Sequence, residues 1–144
     1  MMLKQVLVLV FVMIMMVTTA SAAEEGDTRI VGTNHNKLSD MAVKSGDNIS
    51  LVAELEEYGP KSIFGLYDDS TPRDWVSCTL RDLYLEVLDS QGSVVHSDQT
   101  KTRFITDEAH FDSFSLSVPG KYTCYIKYEG NLKHCETQFQ IYVT

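Results

Sequence analysis

The closing segment, SVPGKYTCYIKYEGNLKHCETQFQIYVT (Ser117–Thr144), constrains the fold more than any other part of the chain. Tyr122, Cys124, Ile126 and Tyr128 alternate with polar residues, and so do Phe139, Ile141 and Val143 after a Glu-Gly-Asn turn. A period of two places each set on one face of a β-strand, so the segment reads as a hairpin with one buried face. Pro119-Gly120 supplies the turn that precedes it.

The same period recurs upstream. In SGDNISLVAEL, Ile49, Leu51, Ala53 and Leu55 alternate with Ser50, Val52, Glu54 and Glu56, the pattern of a strand buried on one face. Leu83, Leu85 and Val87 share a second face. DSQG turns the chain, and Val94 and Val95 begin the return strand. Phe114, Leu116 and Val118 alternate with serines. Ile30–Met41 contains NHNKLSD, whose turn chemistry predicts an irregular first edge strand. Val76, Cys78 and Leu80 have the opposite parity to Leu83, Leu85 and Val87, so a single strand through all six needs a bulge near Arg81-Asp82. No helical period appears after the first two dozen residues. Short alternating strands with regularly spaced turns predict an all-β antiparallel sandwich of about seven strands.

Val6–Val17 is an unbroken apolar run preceded by Lys4 and followed by Ala20-Ser21-Ala22. That run is too short for a spanning helix, which needs about 20 apolar residues. Its length and the small-x-small site match a cleaved signal peptide. The expected organisation is a signal peptide at residues 1–22 and one domain at residues 23–144, secreted or cell-envelope associated, with no membrane insertion of the mature chain. A formal net charge of -8 opposes a phosphate backbone, so no nucleic-acid partner is expected. The three cysteines are an odd number, which in an extracellular chain implies one bridge and one leftover thiol, or an intermolecular link.

Tyr122-Thr123-Cys124 matches the Tyr-x-Cys of the sixth strand of immunoglobulin-like domains, where the tyrosine hydroxyl bonds back to the chain at a corner. Ala53 stands where an antibody-type domain has its first core cysteine, so that bridge is absent. With SGDNISLVAEL, LEVLDSQGSVV, FSLSVPGKYTCYIKYEGN and FQIYV, most of residues 43–143 resembles the Ig-like repeat domains of prokaryotic cell-surface, adhesin-like proteins. The resemblance implies an adhesion or binding role and brings no catalytic residues with it.

Candidate sites follow from the residues. Cys124 and Cys135 are the candidate disulfide, because a short turn places them on one face of the closing hairpin; Cys78 is the alternative partner or the free thiol. A zinc set of Cys78, Cys124, His134 and Cys135 fits no standard spacing. His35, His96 and His110 are scattered and read as exposed. Asp68, Asp69 and Asp74 read as a solvated loop, since the glycine-spaced pattern of a calcium loop is missing. Asn48-Ile49-Ser50 is a glycosylation sequon beside a turn. Tyr58–Trp75, YGPKSIFGLYDDSTPRDW, shows no strand pattern and reads as a long loop. Its Tyr58, Phe64, Tyr67 and Trp75 are the candidate partner-binding residues, since aromatics on such loops suit recognition. The alternative is that Phe64, Leu66 or Trp75 folds back to cap the core.

The sequence therefore predicts a non-enzymatic binding or interaction module, with no catalytic residues, no metal and no cofactor, whose partner is a protein or glycan at a cell surface. The alternative is a secreted peptidase inhibitor with a small β-sandwich of the chagasin type, although the Asn-Pro-Thr-Thr-Gly loop of those inhibitors is missing.

Overall fold

The computed structural model describes residues 22–61 and 66–144. The expected signal peptide, but for its last residue, and Phe64 of the expected binding loop lie outside them. Among the described residues there are nine strands: β1 (Thr28–Val31), β2 (Met41–Val43), β3 (Val52–Pro60), β4 (Arg73–Ser77), β5 (Asp82–Leu88), β6 (Val94–Lys101), β7 (Glu108–His110), β8 (Gly120–Tyr128) and β9 (Cys135–Val143). They form two sheets, one of β1, β3, β4 and β7, the other in the order β2-β9-β8-β5-β6. The fold is an all-β sandwich.

The alternating residues account for the core. Leu51, just before β3, and Ala53 and Leu55 of β3 meet Leu83, Leu85, Val87, Cys124, Ile126, Phe139 and Ile141 of the second sheet, and all are buried. Burying one aliphatic side chain of this size contributes about 1.5–3 kcal/mol, so the two facing stripes dominate the stability. Tyr122 is buried with them and its hydroxyl donates to Val118 O at 2.6 Å, which forms the expected corner. Val118 itself points to solvent, so the Phe114–Val118 alternation buries only its first two members.

The strand count exceeds the expected seven for two physical reasons. First, the edge strand near the N-terminus splits. β1 pairs antiparallel with β3 in one sheet, and β2 pairs parallel with β9 in the other. A 3-10 turn at Thr33–His35 leads the chain away from the first sheet after β1, and Asn34 and His35 both take left-handed φ values of 57° and 61°. Second, β4 is an added strand between β3 and β5. It pairs with β3, while β5 belongs to the opposite sheet. The parity clash of Val76, Cys78 and Leu80 with Leu83 is therefore a sheet crossing rather than a bulge, with Leu80 at φ 56°.

The register locates the edges. β1 spans Glu54–Glu57 of β3, β7 spans Val52–Glu54 and β4 spans Glu56–Pro60. The overlaps put β7 and β4 end to end on the edge of β3 opposite β1. At one end of the sandwich, Lys133 of the β8–β9 turn bonds Asp27 at 2.8 Å, and Tyr58 N–H donates to Asp27 O at 2.8 Å. That end therefore gathers the lead-in to β1, the β3–β4 hairpin and the β8–β9 turn.

Candidate functional site

The segment read as one long loop is a hairpin. Tyr58, Gly59 and Pro60 belong to β3, and Arg73, Asp74 and Trp75 belong to β4, with Tyr58 opposite Trp75 and Pro60 opposite Arg73. The sequence hid these strands because proline, glycine and charged residues break the period of two.

The structure brings two of the four candidate aromatics together. Tyr58 and Trp75 are half-buried on the outer face of the first sheet, their rings edge to face at 5.4 Å. The Arg29 guanidinium lies 4.2 Å from the Trp75 ring centroid. Such contacts contribute roughly 0.5–1.5 kcal/mol each, enough to brace a hairpin stem. Both aromatics therefore pack against the protein rather than stand free. Tyr67 lies apart from them, beyond the last paired residues, and is 60% exposed; Leu66 beside it is 78% exposed.

Asp68 and Asp74 of this hairpin are engaged locally. Asp68 Oδ1 accepts from the Ser70 backbone N–H at 2.9 Å and the Ser70 hydroxyl at 2.6 Å, which closes a turn. These bonds hold the Asp68 carboxyl below the usual range. Lys61 bonds Asp74 at 2.9 Å and lowers its pKa as well. Glu25 and Arg73 make a further ion pair at 3.5 Å. Among the described residues beyond the stem, Leu66 and Tyr67 are thus exposed apolar side chains, carried on a stem tied by aromatic, ionic and hydrogen-bonded contacts.

The expected Cys124–Cys135 disulfide does not form. Cys124 lies opposite Phe139, and Cys135 lies opposite Tyr128, four residues from Cys124. Four residues along a strand cover about 13 Å, whereas bridged Cα atoms lie within about 7 Å. The turn is longer than the short one that the expectation assumed. Cys78, the alternative partner, is also free. Burial pushes the Cys124 thiol up to about 12 and the Cys78 thiol up to about 11, the latter helped by Glu57. Among the described residues, no three His, Cys, Asp or Glu side chains converge on a metal position. Asn48 and Ser50 of the sequon are exposed, on the turn closed by Asp47 N–H to Lys44 O at 3.0 Å.

A polar cluster on the outer face of β3 escaped the sequence reading. Glu54 and Glu56 alternate with core residues and read as solvent-facing, yet both are buried. Glu56, fully covered, accepts from Arg29 Nε at 2.8 Å and from His35 Nδ1, which the 3-10 turn brings over the sheet. Glu54 is 7% exposed, and its Oε2 has no partner among the described residues. Burial pushes the Glu54 carboxyl above its ordinary value; His35 opposes the rise, and the charges of Glu56 and Glu108 add to it. His96, read as exposed, instead stacks on Phe114 at 4.3 Å. No signal in the sequence pairs Arg29 or His35 with Glu56, because strand pairing and the 3-10 turn together bring them within reach.

Comparison with protein-family models and with curated proteins gives no match. Among solved structures, the chain is similar to an engineered protein, with a TM-score of 0.47 and 10% identity over 85% of this chain and 21% of that one. It is also similar to a family 123 glycoside hydrolase from Clostridium perfringens, with a TM-score of 0.44 and 8% identity over 82% of this chain and 27% of that one. The chain thus spans between a fifth and a third of the length of these two structures.

Proposed function

We propose that the protein is a secreted or cell-surface, non-enzymatic binding module that engages a protein or glycan partner through the tip of the β3–β4 hairpin. The observation that carries this reading is the contrast between stem and tip. The stem is fixed by Tyr58, Trp75 and Arg29, while Leu66 and Tyr67 stand exposed at its end. An exposed aromatic and aliphatic pair on a rigid support loses little entropy on docking and suits an interface anchor.

The test is capture from an envelope and culture extract of the source organism with the immobilised full chain, beside a Leu66→Ser/Tyr67→Ser variant. The reading expects one dominant surface protein or glycoprotein that the variant fails to retain. Equal capture by both chains would remove the hairpin tip from the argument. A dominant peptidase, inhibited on binding, would favour the inhibitor alternative.

A further inference from the structure

We infer that the protein carries a second binding site, a cleft for a single neutral sugar residue, between the β4–β5 connection and the β8–β9 turn. The cleft has a volume of about 220 Å³ and is lined by Arg81, Asp82, Tyr84, Glu129, Gly130 and Asn131, among others. It opens at the same end of the sandwich as the hairpin tip, where the β8–β9 turn is tied to Asp27.

Both walls are built before any ligand arrives. On one side, Leu80 N–H donates to Thr102 O at 2.8 Å, Arg81 N–H to Thr102 Oγ1 at 2.9 Å, and Thr102 N–H to Arg81 O at 2.9 Å. Thr102 is fully buried, and these bonds hold Leu80 in its left-handed conformation. Backbone held in that region is a mark of sites where geometry matters more than local ease. On the other side, the buried Tyr128 hydroxyl accepts from Leu132 N–H at 3.1 Å, and His134 Nε2 donates to Gly130 O at 3.0 Å. A Cβ on Gly130 would fall 2.5 Å from the Tyr128 hydroxyl, so only glycine lets the turn lie this close to the ring.

The lining chemistry selects the ligand class. Asp82 pairs with Lys101 at 3.2 Å, whereas the side chains of Arg81, Glu129 and Asn131 make no hydrogen bond to any other described residue. A carboxylate only accepts, a guanidinium only donates, and an amide does both. A ligand satisfying all three must offer groups that both donate and accept, which is the property of adjacent hydroxyls. Arg81 and Lys101 balance Asp82 and Glu129, so no net charge favours an ionic ligand over a neutral one. Tyr84, 39% exposed, supplies an apolar wall with a polar tip, against which a sugar ring's C–H face can lie. The volume admits one pyranose rather than a chain.

The test is titration of the isotope-labelled full chain with the methyl glycosides of glucose, galactose, mannose and N-acetylglucosamine, read by amide chemical shifts. The inference expects saturable shifts with at least one of them, centred on Arg81–Tyr84 and Glu129–Asn131. A ligand of this size should bind with a dissociation constant on the order of 1 mM. Tyr84→Ala and Asn131→Ala are both at exposed positions and should each weaken binding about tenfold, or about 1.4 kcal/mol. Leu66→Ser/Tyr67→Ser should leave the sugar shifts unchanged, which separates this site from the hairpin reading. Absence of saturable shifts with all four sugars, shifts centred elsewhere, or undiminished binding in both cleft variants would overturn the inference.

Discussion

Replacing Glu54 with glutamine should stabilise the protein at neutral pH and leave it unchanged in acid. Glu54 is 7% exposed, flanked by Val31 of β1 and Glu108 of β7, and its Oε2 has no partner among the described residues. Leaving a buried acceptor unpaired costs about 1–3 kcal/mol, and more for a charge. Burial and the nearby charges of Glu56 and Glu108 raise the folded-state pKa above the ordinary 4.5, His35 opposing. The folded protein therefore holds this proton more tightly than the unfolded chain does. The stabilisation from proton uptake is fully present below the unfolded pKa and is lost as pH rises through the folded one. Glutamine keeps the shape, never ionises, and directs an N–H toward the neighbouring carboxylates. A gain of about 1 kcal/mol at pH 7.5 follows from the low end of that range, or about 4 °C in Tm for a domain of this size. Thermal unfolding followed by circular dichroism from pH 4 to 8 reads the difference directly. The wild-type and variant curves should converge toward pH 4 and separate as pH rises. A lower Tm for the variant at pH 7.5, or a constant offset at every pH, would refute the reasoning and make the Glu54 charge part of what holds the 3-10 turn in place.

The corner predicts an effect of similar size and opposite sign. Tyr122→Phe removes the donor to Val118 O and should cost about 1 kcal/mol in denaturant unfolding, with an unchanged slope; an unchanged midpoint would mean that solvent serves Val118 O equally well. The cysteines give a chemical test. In the folded protein at pH 8, iodoacetamide should leave Cys124 unmodified, because its thiol is buried and its pKa is pushed up to about 12, and unfolding should expose three alkylatable thiols. A peptide linking Cys124 to Cys135 in a non-reducing digest would contradict the register of β8 and β9.

What the sequence displayed was one face at a time. Tyr122, Cys124, Ile126 and Tyr128 read as a stripe because a half-buried strand writes its burial into a period of two, and all four are buried. The tyrosine corner was equally visible, since the ring and its acceptor are four residues apart. The β3–β4 stem was not, because Gly59, Pro60 and Asp74 carry no apolar alternation; its pairing comes from backbone bonds and from Trp75 packing on Tyr58. The disulfide expectation failed on one hidden quantity. Turn length fixes register, and the register leaves Cys124 four residues from the residue opposite Cys135, a separation larger than a bridge can span.

The same reasoning explains why both candidate sites lay partly or wholly outside sequence inference. Leu66 and Tyr67 could be named as part of an aromatic-rich segment, but their exposure depends on the stem being full of its own contacts, so that neither side chain is needed to fill it. The cleft draws on the β4–β5 connection and the β8–β9 turn, which are about 50 residues apart in sequence. They meet because β5 and β8 pair directly in the second sheet, with Tyr84 opposite Lys127. Asp82 and Glu129 lie two residues beyond that last pair, on the continuations of the two strands. A site assembled this way inherits the rigidity of the sheet while its lining residues remain free to vary. Substitutions at Arg81, Glu129 and Asn131 should therefore alter ligand choice at little cost in stability, whereas Thr102 and Gly130, which hold the walls, should tolerate none.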